Sequence, residues 1–189
     1  MSDSIWTAAL ATFRDRLAGI EPVPAGVSAA AVSATLGLGL LMKVLQIASK
    51  RKAFAGDRQL ADSLVHEAAN KSQILTHLAD EDVAAFHQYL DCLRRKEPTG
   101  AALRKAIEIP LKIARASASG VQLCRQATSL VHAFVAPDLG TAEELLTAAV
   151  RSTLLTVNSN LQQLPEDDPY RAEVTAELTL LSQPFRADR

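Results

Sequence analysis

The sequence predicts an all-α fold, a single-domain helical bundle with a long buried central helix of small residues. The chain has 189 residues, of which 48% are hydrophobic and only 4% aromatic, and this length suits one domain with a sizeable core. Alanine and leucine dominate the composition, and no segment shows the alternation typical of a strand. We therefore expect one helical domain over residues 1–189.

The first two predicted helices differ in how their apolar residues are distributed. In the first, about 4–18, apolar residues recur every three or four positions and give one buried face. The second, about 28–51, is apolar on all sides, has small residues four apart such as Ala30 and Ala34, and begins at Ser28 as a candidate N-cap. A helix that is apolar all round must be covered all round, so we expect a homodimer.

Four further helices are bounded by turn residues. They are predicted over about 57–95, 101–135, 139–164 and 170–181. Pro98 and Gly100 separate the third helix from the fourth, and Pro165 ends the fifth. Pro110 falls inside the fourth helix, where it removes one backbone hydrogen bond and should kink the helix.

The composition argues against several classes of function. The formal net charge is −1, so no basic excess favours binding to nucleic acid. The N-terminus lacks the basic region of a signal peptide, and the apolar stretch 22–42 opens with prolines and is short for a membrane span. Cys92 and Cys124 match no metal or redox spacing, as expected of two reduced, buried thiols in a cytoplasmic protein. We expect no nucleic-acid partner and no membrane partner.

The histidines do not predict a metal site. None of the four has an acidic residue three positions before it, and no His-x-x-x-His pair occurs.

Three charged positions have both a structural and a functional interpretation. Lys50, Arg51 and Lys52 end the second helix, where cations either stabilise the helix dipole or bind an anionic ligand. Asp82 belongs either to a solvated acidic face or to a site that needs a general acid or base. Asp138 begins the fifth helix and is also a good N-cap.

These positions belong to a series of landmarks that runs through most of the chain. In their order and spacing they resemble the formimidoyltetrahydrofolate cyclodeaminase / methenyltetrahydrofolate cyclohydrolase family. The landmarks are Pro24 to Ser28, Lys50 to Lys52, Asp82 with Ala85 and Phe86, Ala106 with Pro110, Ala136 to Asp138, and Val157 with Asn160 and Leu161.

The resemblance implies a fold, a reaction and a set of site residues. The family is all-helical and dimeric, and it acts on the one-carbon bridge between N5 and N10 of a tetrahydropterin, by hydrolysis or by cyclodeamination, with no metal or redox cofactor. It implies a tetrahydrofolate-type pterin as substrate or ligand and Asp82 as the catalytic residue. The implied substrate-binding residues are Lys50, Lys52, Gly26, Ser28, Asp138 and Asn160. We further expect Asp82 and Lys52 to line one cleft.

The chain also departs from the family pattern. Ala25 and Val27 stand where the family has glycines, and His132, Phe134 and Thr156 stand where it has asparagines. If the backbone at residue 27 needs a positive φ, a β-branched residue strains it. Two hypotheses therefore stay open: an enzyme of one-carbon pterin chemistry with weakened or altered activity, and a non-catalytic helical dimer that serves as a binding or subunit-interaction module.

Overall fold

The computed structural model describes residues 5–7, 9–51, 54 and 56–185. Over this part of the chain the only regular structure is helical, and the all-α bundle prediction is confirmed. A 3-10 helix at Ile5–Thr7 precedes α1 (Leu10–Leu17), α2 (Gly26–Ser49), α3 (Arg58–Arg95), α4 (Gly100–Ala127), α5 (Ala136–Leu161) and α6 (Pro169–Ser182), and a second 3-10 helix follows at Gln183–Phe185.

The four long helices, α2 to α5, form an antiparallel bundle. α2 and α4 lie diagonally opposite each other, and each packs against both α3 and α5. The first 3-10 helix packs on α3, where the Ile5 amide donates to Asp80 Oδ1 at 3.1 Å and Trp6 Nε1 donates to the Thr76 carbonyl at 3.0 Å. α6 covers part of α4 and α5. Short connections between successive helices produce this up-and-down order.

Two glycines allow α5 to pack closely against the middle of the bundle. A Cβ at Gly37 of α2 would lie 2.9 Å from the Ala142 carbonyl oxygen, and one at Gly120 of α4 would lie 2.7 Å from Leu146 Cδ2. Leu146 and Leu38 are fully buried at this level. The close approach therefore depends on the missing side chains at residues 37 and 120.

Several predicted helix boundaries are wrong. The fourth helix ends at Ala127, not at residue 135, and the fifth begins at Ala136. The predicted caps Ser28 and Asp138 lie inside the first turns of α2 and α5, whose N-cap positions are Ala25 and Val135. α5 starts early because Pro137 is tolerated in a first turn, where its missing N–H would be unpaired anyway.

α2 is buried on one side, and its other side is apolar apart from the exposed Lys43 and Gln46. Its most apolar 18-residue window has a mean hydropathy of 1.7 and is half buried, so by length and composition alone the helix is also able to cross a membrane. Leu36 is 58% exposed and Ile47 39% exposed. Together with the partly exposed Val32, Gly39 and Leu40 they form a face that we call the outer stripe.

The two cysteines lie in different environments, and both are free. Cys124 of α4 is fully buried, and this burial raises the pKa of its thiol to about 12. Cys92 of α3 is only half-buried, so the prediction of two buried thiols is correct for one of them.

Candidate active site

Asp82 is a buried carboxyl on α3. It lies on the stripe of α3 that also carries Leu75, Leu78 and Ala79, and it is 8% exposed. No hydrogen bond or ion pair joins it to another residue in the described ranges. Burial alone raises the pKa of this carboxyl from 3.8 to about 7.

Asp82 lies level with the first turn of α2. The Arg58 guanidinium donates to the Ser49 carbonyl, which places the start of α3 beside the end of α2. Counting equal numbers of residues back along α2 and forward along the antiparallel α3 brings Gly26 opposite residues 81 and 82. The sequence-predicted residues Gly26, Ser28 and Asp82 therefore lie at the same end of the bundle.

The backbone at this end is ordinary helix. A Cβ at Gly26 would meet nothing within 4 Å, and Val27 is a buried residue of the first turn. Lys96 is the one non-glycine residue with a positive φ in the described part of the chain, and no glycine there has one. The premise that residue 27 needs a positive φ is therefore wrong, and the associated strain does not arise.

Buried hydroxyls without partners accompany the carboxyl. Over the described residues, the side-chain oxygens of Ser28, Ser117 and Thr153 are buried and have no hydrogen-bond partner. Ser33 Oγ lies 3.3 Å from the Leu145 carbonyl and donates to it, and this register along the antiparallel α5 brings Ser28 within about one turn of Thr153. Buried polar groups are normally paired, so hydroxyls of this kind need water or a ligand.

We call this part of the bundle the acidic end, defined by Asp82, Gly26, Ser28 and Thr153. Its other predicted residue, Asn160, has a structural partner. Pro110 has no N–H to give to the Ala106 carbonyl, and Asn160 Nδ2 donates to that oxygen instead at 2.8 Å. This bond gives Asn160 a role in holding α5 against α4, and its contact with a substrate stays a prediction.

The opposite end of α2 contains the cations and two open clefts. Lys50 is the C-cap of α2, and Arg51, which follows it, is exposed. One cleft of about 380 Å³ is lined by Ile47, Ala48, Arg51, His132, Phe134 and Val135. An adjoining cleft of about 270 Å³ shares Ala48, Arg51 and His132 and extends to Phe54 and Leu130.

The 128–135 segment shapes the larger cleft. The Phe134 amide donates to His132 Nδ1 at 3.0 Å, so the neutral imidazole carries its proton on Nε2 and has a donor left for a ligand. Phe134 is 85% exposed at the rim. A guanidinium without an ion-pair partner among the described residues, an N–H donor and an exposed aromatic face suit a planar ligand with an anionic group. We call this part the basic end, defined by Lys50, Arg51, His132 and Phe134.

Asp138 lies near the basic end but outside the two clefts. It is half-buried in the first turn of α5, where the positive end of the helix dipole favours a carboxylate. The structure gives it no hydrogen-bond or ion-pair partner among the residues described. Its predicted contact with a substrate stays a prediction.

The predicted site residues thus fall into two groups rather than one. Lys52 is outside the described residues, so its place in a cleft with Asp82 stays a prediction. Its neighbours Lys50 and Arg51 lie at the far end of α2 from Asp82, roughly 35 Å away along a helix of 24 residues. Hydrogen bonds and ion pairs act over a few ångströms, so the two groups do not contact each other directly within one protomer.

Sequence reasoning missed the buried hydroxyls of Ser117 and Thr153. Hydroxyl residues inside helices usually bond the carbonyl four residues back, as Thr76 does with Ser72 at 2.8 Å. No sequence pattern distinguishes those that do not. The described ranges contain no group of three or more residues that could hold a metal ion.

Comparisons with known proteins identify the relatives of this chain. The sequence profile of the family described as formiminotransferase-cyclodeaminase matches residues 9–179. The chain is 25% identical over 178 residues to methenyltetrahydrofolate cyclohydrolase of Methylorubrum extorquens, covering 88% of this chain and 85% of that protein. Its fold matches the crystal structure of formiminotetrahydrofolate cyclodeaminase from Thermotoga maritima, with a TM-score of 0.89 and 20% identity over 96% of this chain and 91% of the other.

Proposed function

Because the chain belongs to the formiminotransferase-cyclodeaminase family, we propose that it acts on the one-carbon bridge of a tetrahydrofolate-type pterin, with Asp82 as the general acid and base. The observation that supports this most is the buried, unpaired carboxyl with a pKa of about 7. A group with this pKa is present in both protonation states at neutral pH, which is the condition for efficient proton transfer in either direction. The proposal needs no metal and no redox cofactor.

Hydrolysis of a methenyl bridge requires two proton transfers. Water adds to the bridge carbon, and the Asp82 carboxylate takes the proton that the water loses. The protonated carboxyl then gives its proton to one of the two nitrogens of the tetrahedral intermediate, and the bond from that nitrogen to the carbon breaks. The products are a formyl group on the other nitrogen and one proton released to solvent.

We place hydrolysis ahead of cyclodeamination. The M. extorquens relative is named a methenyltetrahydrofolate cyclohydrolase and is similar over most of both chains. Cyclodeamination would pass through a similar tetrahedral carbon and use the same carboxyl. Both substrates therefore belong in the assay.

We expect the activity to be weakened by missing amides rather than by strain. His132, Phe134 and Thr156 stand at positions where the family has asparagines, and each lost hydrogen bond to a ligand costs about 1 kcal/mol. Backbone strain at residue 27 does not contribute, because this residue lies in regular helix. A reduction of roughly fivefold per lost contact follows, at about 1.4 kcal/mol per tenfold.

We further propose that the protein is a cytoplasmic homodimer. The outer stripe leaves apolar side chains of α2 exposed to solvent in the protomer, and burial against a second copy would remove them from water. Light scattering at micromolar concentration measures the mass directly. A stable monomer would contradict this proposal.

The decay of the methenyl chromophore, corrected for the spontaneous reaction, tests the activity. We expect Asp82→Asn to lower the rate by roughly 10²–10⁴-fold, the usual contribution of general acid–base catalysis. Asp62→Asn, on the exposed surface of the same helix, is the matched control and should leave the rate unchanged. Equal rates for wild type and Asp82→Asn would refute the role of Asp82, and no turnover of either substrate would favour the non-catalytic module.

A further inference from the structure

We propose that the bundle interior beside Asp82 is a binding site for ordered water molecules, which hydroxyls from the three other long helices hold against the carboxyl. The described part of the chain has four buried polar or charged residues, and each comes from a different helix. They are Ser28 of α2, Asp82 of α3, Ser117 of α4 and Thr153 of α5. The inference goes beyond the proposed function and assumes no activity.

Ser117 and Thr153 lie at nearly the same level of the bundle. Two contacts fix the register between α4 and α5, namely the Asn160–Ala106 hydrogen bond at 2.8 Å and the Arg125–Glu143 ion pair at 2.9 Å. Between these contacts the antiparallel helices bring Ser117 opposite residues 149–151. Thr153 is therefore within about one helical turn of Ser117.

The other two polar residues belong to the same level. The Ser33–Leu145 hydrogen bond brings Ser28 opposite residue 150 of α5. The register of α3 on α2 brings Asp82 opposite residues 25 and 26, so it lies about 3–5 Å from Ser28 along the bundle axis. Every helix of the bundle thus contributes one buried polar group to one level.

The three hydroxyls need partners that the protein does not provide. Their side-chain oxygens are buried and have no hydrogen-bond partner among the described residues. The Ser119 hydroxyl, by contrast, donates to the Arg115 carbonyl at 3.0 Å. A buried hydroxyl normally has at least one partner, and a buried water typically makes about three hydrogen bonds. Three hydroxyls and one carboxyl at the same level can satisfy such waters.

Small side chains surround the polar level. Each polar residue has a buried alanine one turn away on its own helix, and these alanines are Ala31, Ala79, Ala114 and Ala149. The next level toward the basic end contains the fully buried Leu38 and Leu146 instead. At a given helix spacing alanine occupies less volume than leucine, so the polar level has more room for water.

The charged groups near this level have other partners. In the described part of the chain these pairs are Arg115 with Glu177, Arg151 with the Phe185 carbonyl, Lys112 with Glu108, Asp80 with the Ile5 amide, and Glu81 with His77. Lys43, the only charged residue of α2, lies more than four turns beyond the start of that helix. Water is thus the partner left for Asp82 inside the bundle. A few waters stabilise a carboxylate less than bulk solvent does, in agreement with the raised pKa of Asp82.

NMR cross-relaxation between water and protein tests the site in the wild-type protein. We expect signals from long-lived water at the Thr153 methyl group and at the β-protons of Ser28 and Ser117. The methyl groups of Leu38, one level away, are the dry comparison and should show none. Absence of water signals at all three hydroxyl residues would overturn the proposal.

The variants Ser117→Ala and Thr153→Val test whether the waters reach Asp82. Each removes a hydroxyl with little change in volume. Without the bound water the carboxylate loses a donor, so its proton affinity should rise by roughly tenfold, as for one lost hydrogen bond to a charged group. A carbon-13 NMR titration of the aspartate carboxyl groups measures the pKa of Asp82.

Ser119→Ala is the matched control, because its hydroxyl bonds a carbonyl of the same helix. It should leave the pKa of Asp82 unchanged. An unchanged pKa in both Ser117→Ala and Thr153→Val would refute the link between the hydroxyls and the carboxyl. If one variant does not fold, the other variant and the wild-type water signals decide. No readout uses turnover, so failure of the proposed function would be a separate result.

Discussion

The two ends of α2 differ in burial and in charge. The acidic end is largely buried: Asp82 is 8% exposed, and the Ser28 and Thr153 hydroxyls have no hydrogen-bond partner among the described residues. The basic end is open to solvent, and its clefts are lined by the exposed side chains of Arg51 and Phe134. Desolvation adjusts the proton affinity of a carboxyl, whereas an open cationic cleft suits the capture of a ligand. Under the proposed function, proton transfer and ligand capture would be separated along one helix.

The largest expected effect is on the free energy of unfolding, which the burial of Asp82 lowers at high pH. We expect Asp82→Asn to stabilise the protein at pH 8 by up to about 4 kcal/mol, because a pKa shift from 3.8 to about 7 corresponds to 1.36 kcal/mol per unit. The unfolded carboxyl loses its proton near 3.8 and the folded one near 7. Wild type therefore loses stability as the pH rises through this window, and the asparagine variant does not.

Urea unfolding of both proteins between pH 4 and pH 8 measures this difference. Asp62→Asn, at an exposed position of α3, should follow wild type at every pH. A constant gap between wild type and Asp82→Asn across the window would show that Asp82 is not a desolvated, titrating group.

The basic end is expected to contribute binding rather than stability. Arg51→Ala should weaken the binding of a reduced folate that carries a glutamate tail by 10- to 100-fold, since hydrogen bonds to charged groups contribute about 1.5–3 kcal/mol. Isothermal titration calorimetry gives the dissociation constant, and the unfolding free energy should change little because the side chain is exposed. Arg16→Ala, on α1, is the control. Equal weakening by both substitutions would indicate a general charge effect and no specific site.

The link between α4 and α5 next to the acidic end is expected to contribute to stability. Asn160→Ala should destabilise the protein by about 1–3 kcal/mol, because it leaves the Ala106 carbonyl without its donor. Adding Pro110→Ala restores an N–H for that oxygen and should recover most of the loss. Asn158→Ala, at an exposed position two residues away, should stay within about 0.5 kcal/mol of wild type. A double variant no more stable than Asn160→Ala would show that the bond matters little.

The smallest expected effect is at Gly26. It tests whether this glycine is only a helical residue or also contacts the ligand. Gly26→Ala should stabilise the fold by about 0.4–1 kcal/mol, since the position is helical and open. Gly37→Ala should destabilise it, because the new Cβ would lie 2.9 Å from the Ala142 carbonyl oxygen. Thermal unfolding with and without a reduced folate measures both. Loss of the folate-induced shift in Gly26→Ala alone would indicate close contact between this backbone and the ligand.

Periodicity and turn residues predicted most of the fold. Pro98 lies between α3 and α4, and Asp57 caps α3 by accepting the Leu60 amide at 3.0 Å, so the bounds of α3 were predictable. The end of α4 was not, because residues 128–135 contain enough apolar side chains to continue a helical pattern. Their backbone instead forms turns that shape the clefts of the basic end.

The sequence predicted individual candidate residues, but it did not predict how the fold arranges them. Family landmarks identified Asp82 and Lys50 without indicating that an antiparallel bundle places them at opposite ends of α2. The burial of Asp82 was also hidden, because Asp80 and Glu81 beside it favour a solvated face. Only the packing of α3 against its neighbours determines which of three consecutive acidic residues points inward.

The reactivity of the Cys124 thiol reports local opening of the helical bundle. Alkylating reagents attack the thiolate, and a pKa of about 12 together with complete burial leaves almost none available in the closed bundle at pH 8. Modification of Cys124 therefore requires separation of α4 from its neighbours, and its rate under native conditions measures the free energy of that opening. The half-buried Cys92 on α3 provides an internal comparison on the same molecule. Mass spectrometry of the two labelled peptides requires no engineered probe. It would show how a bound ligand changes the rate at which the helices separate.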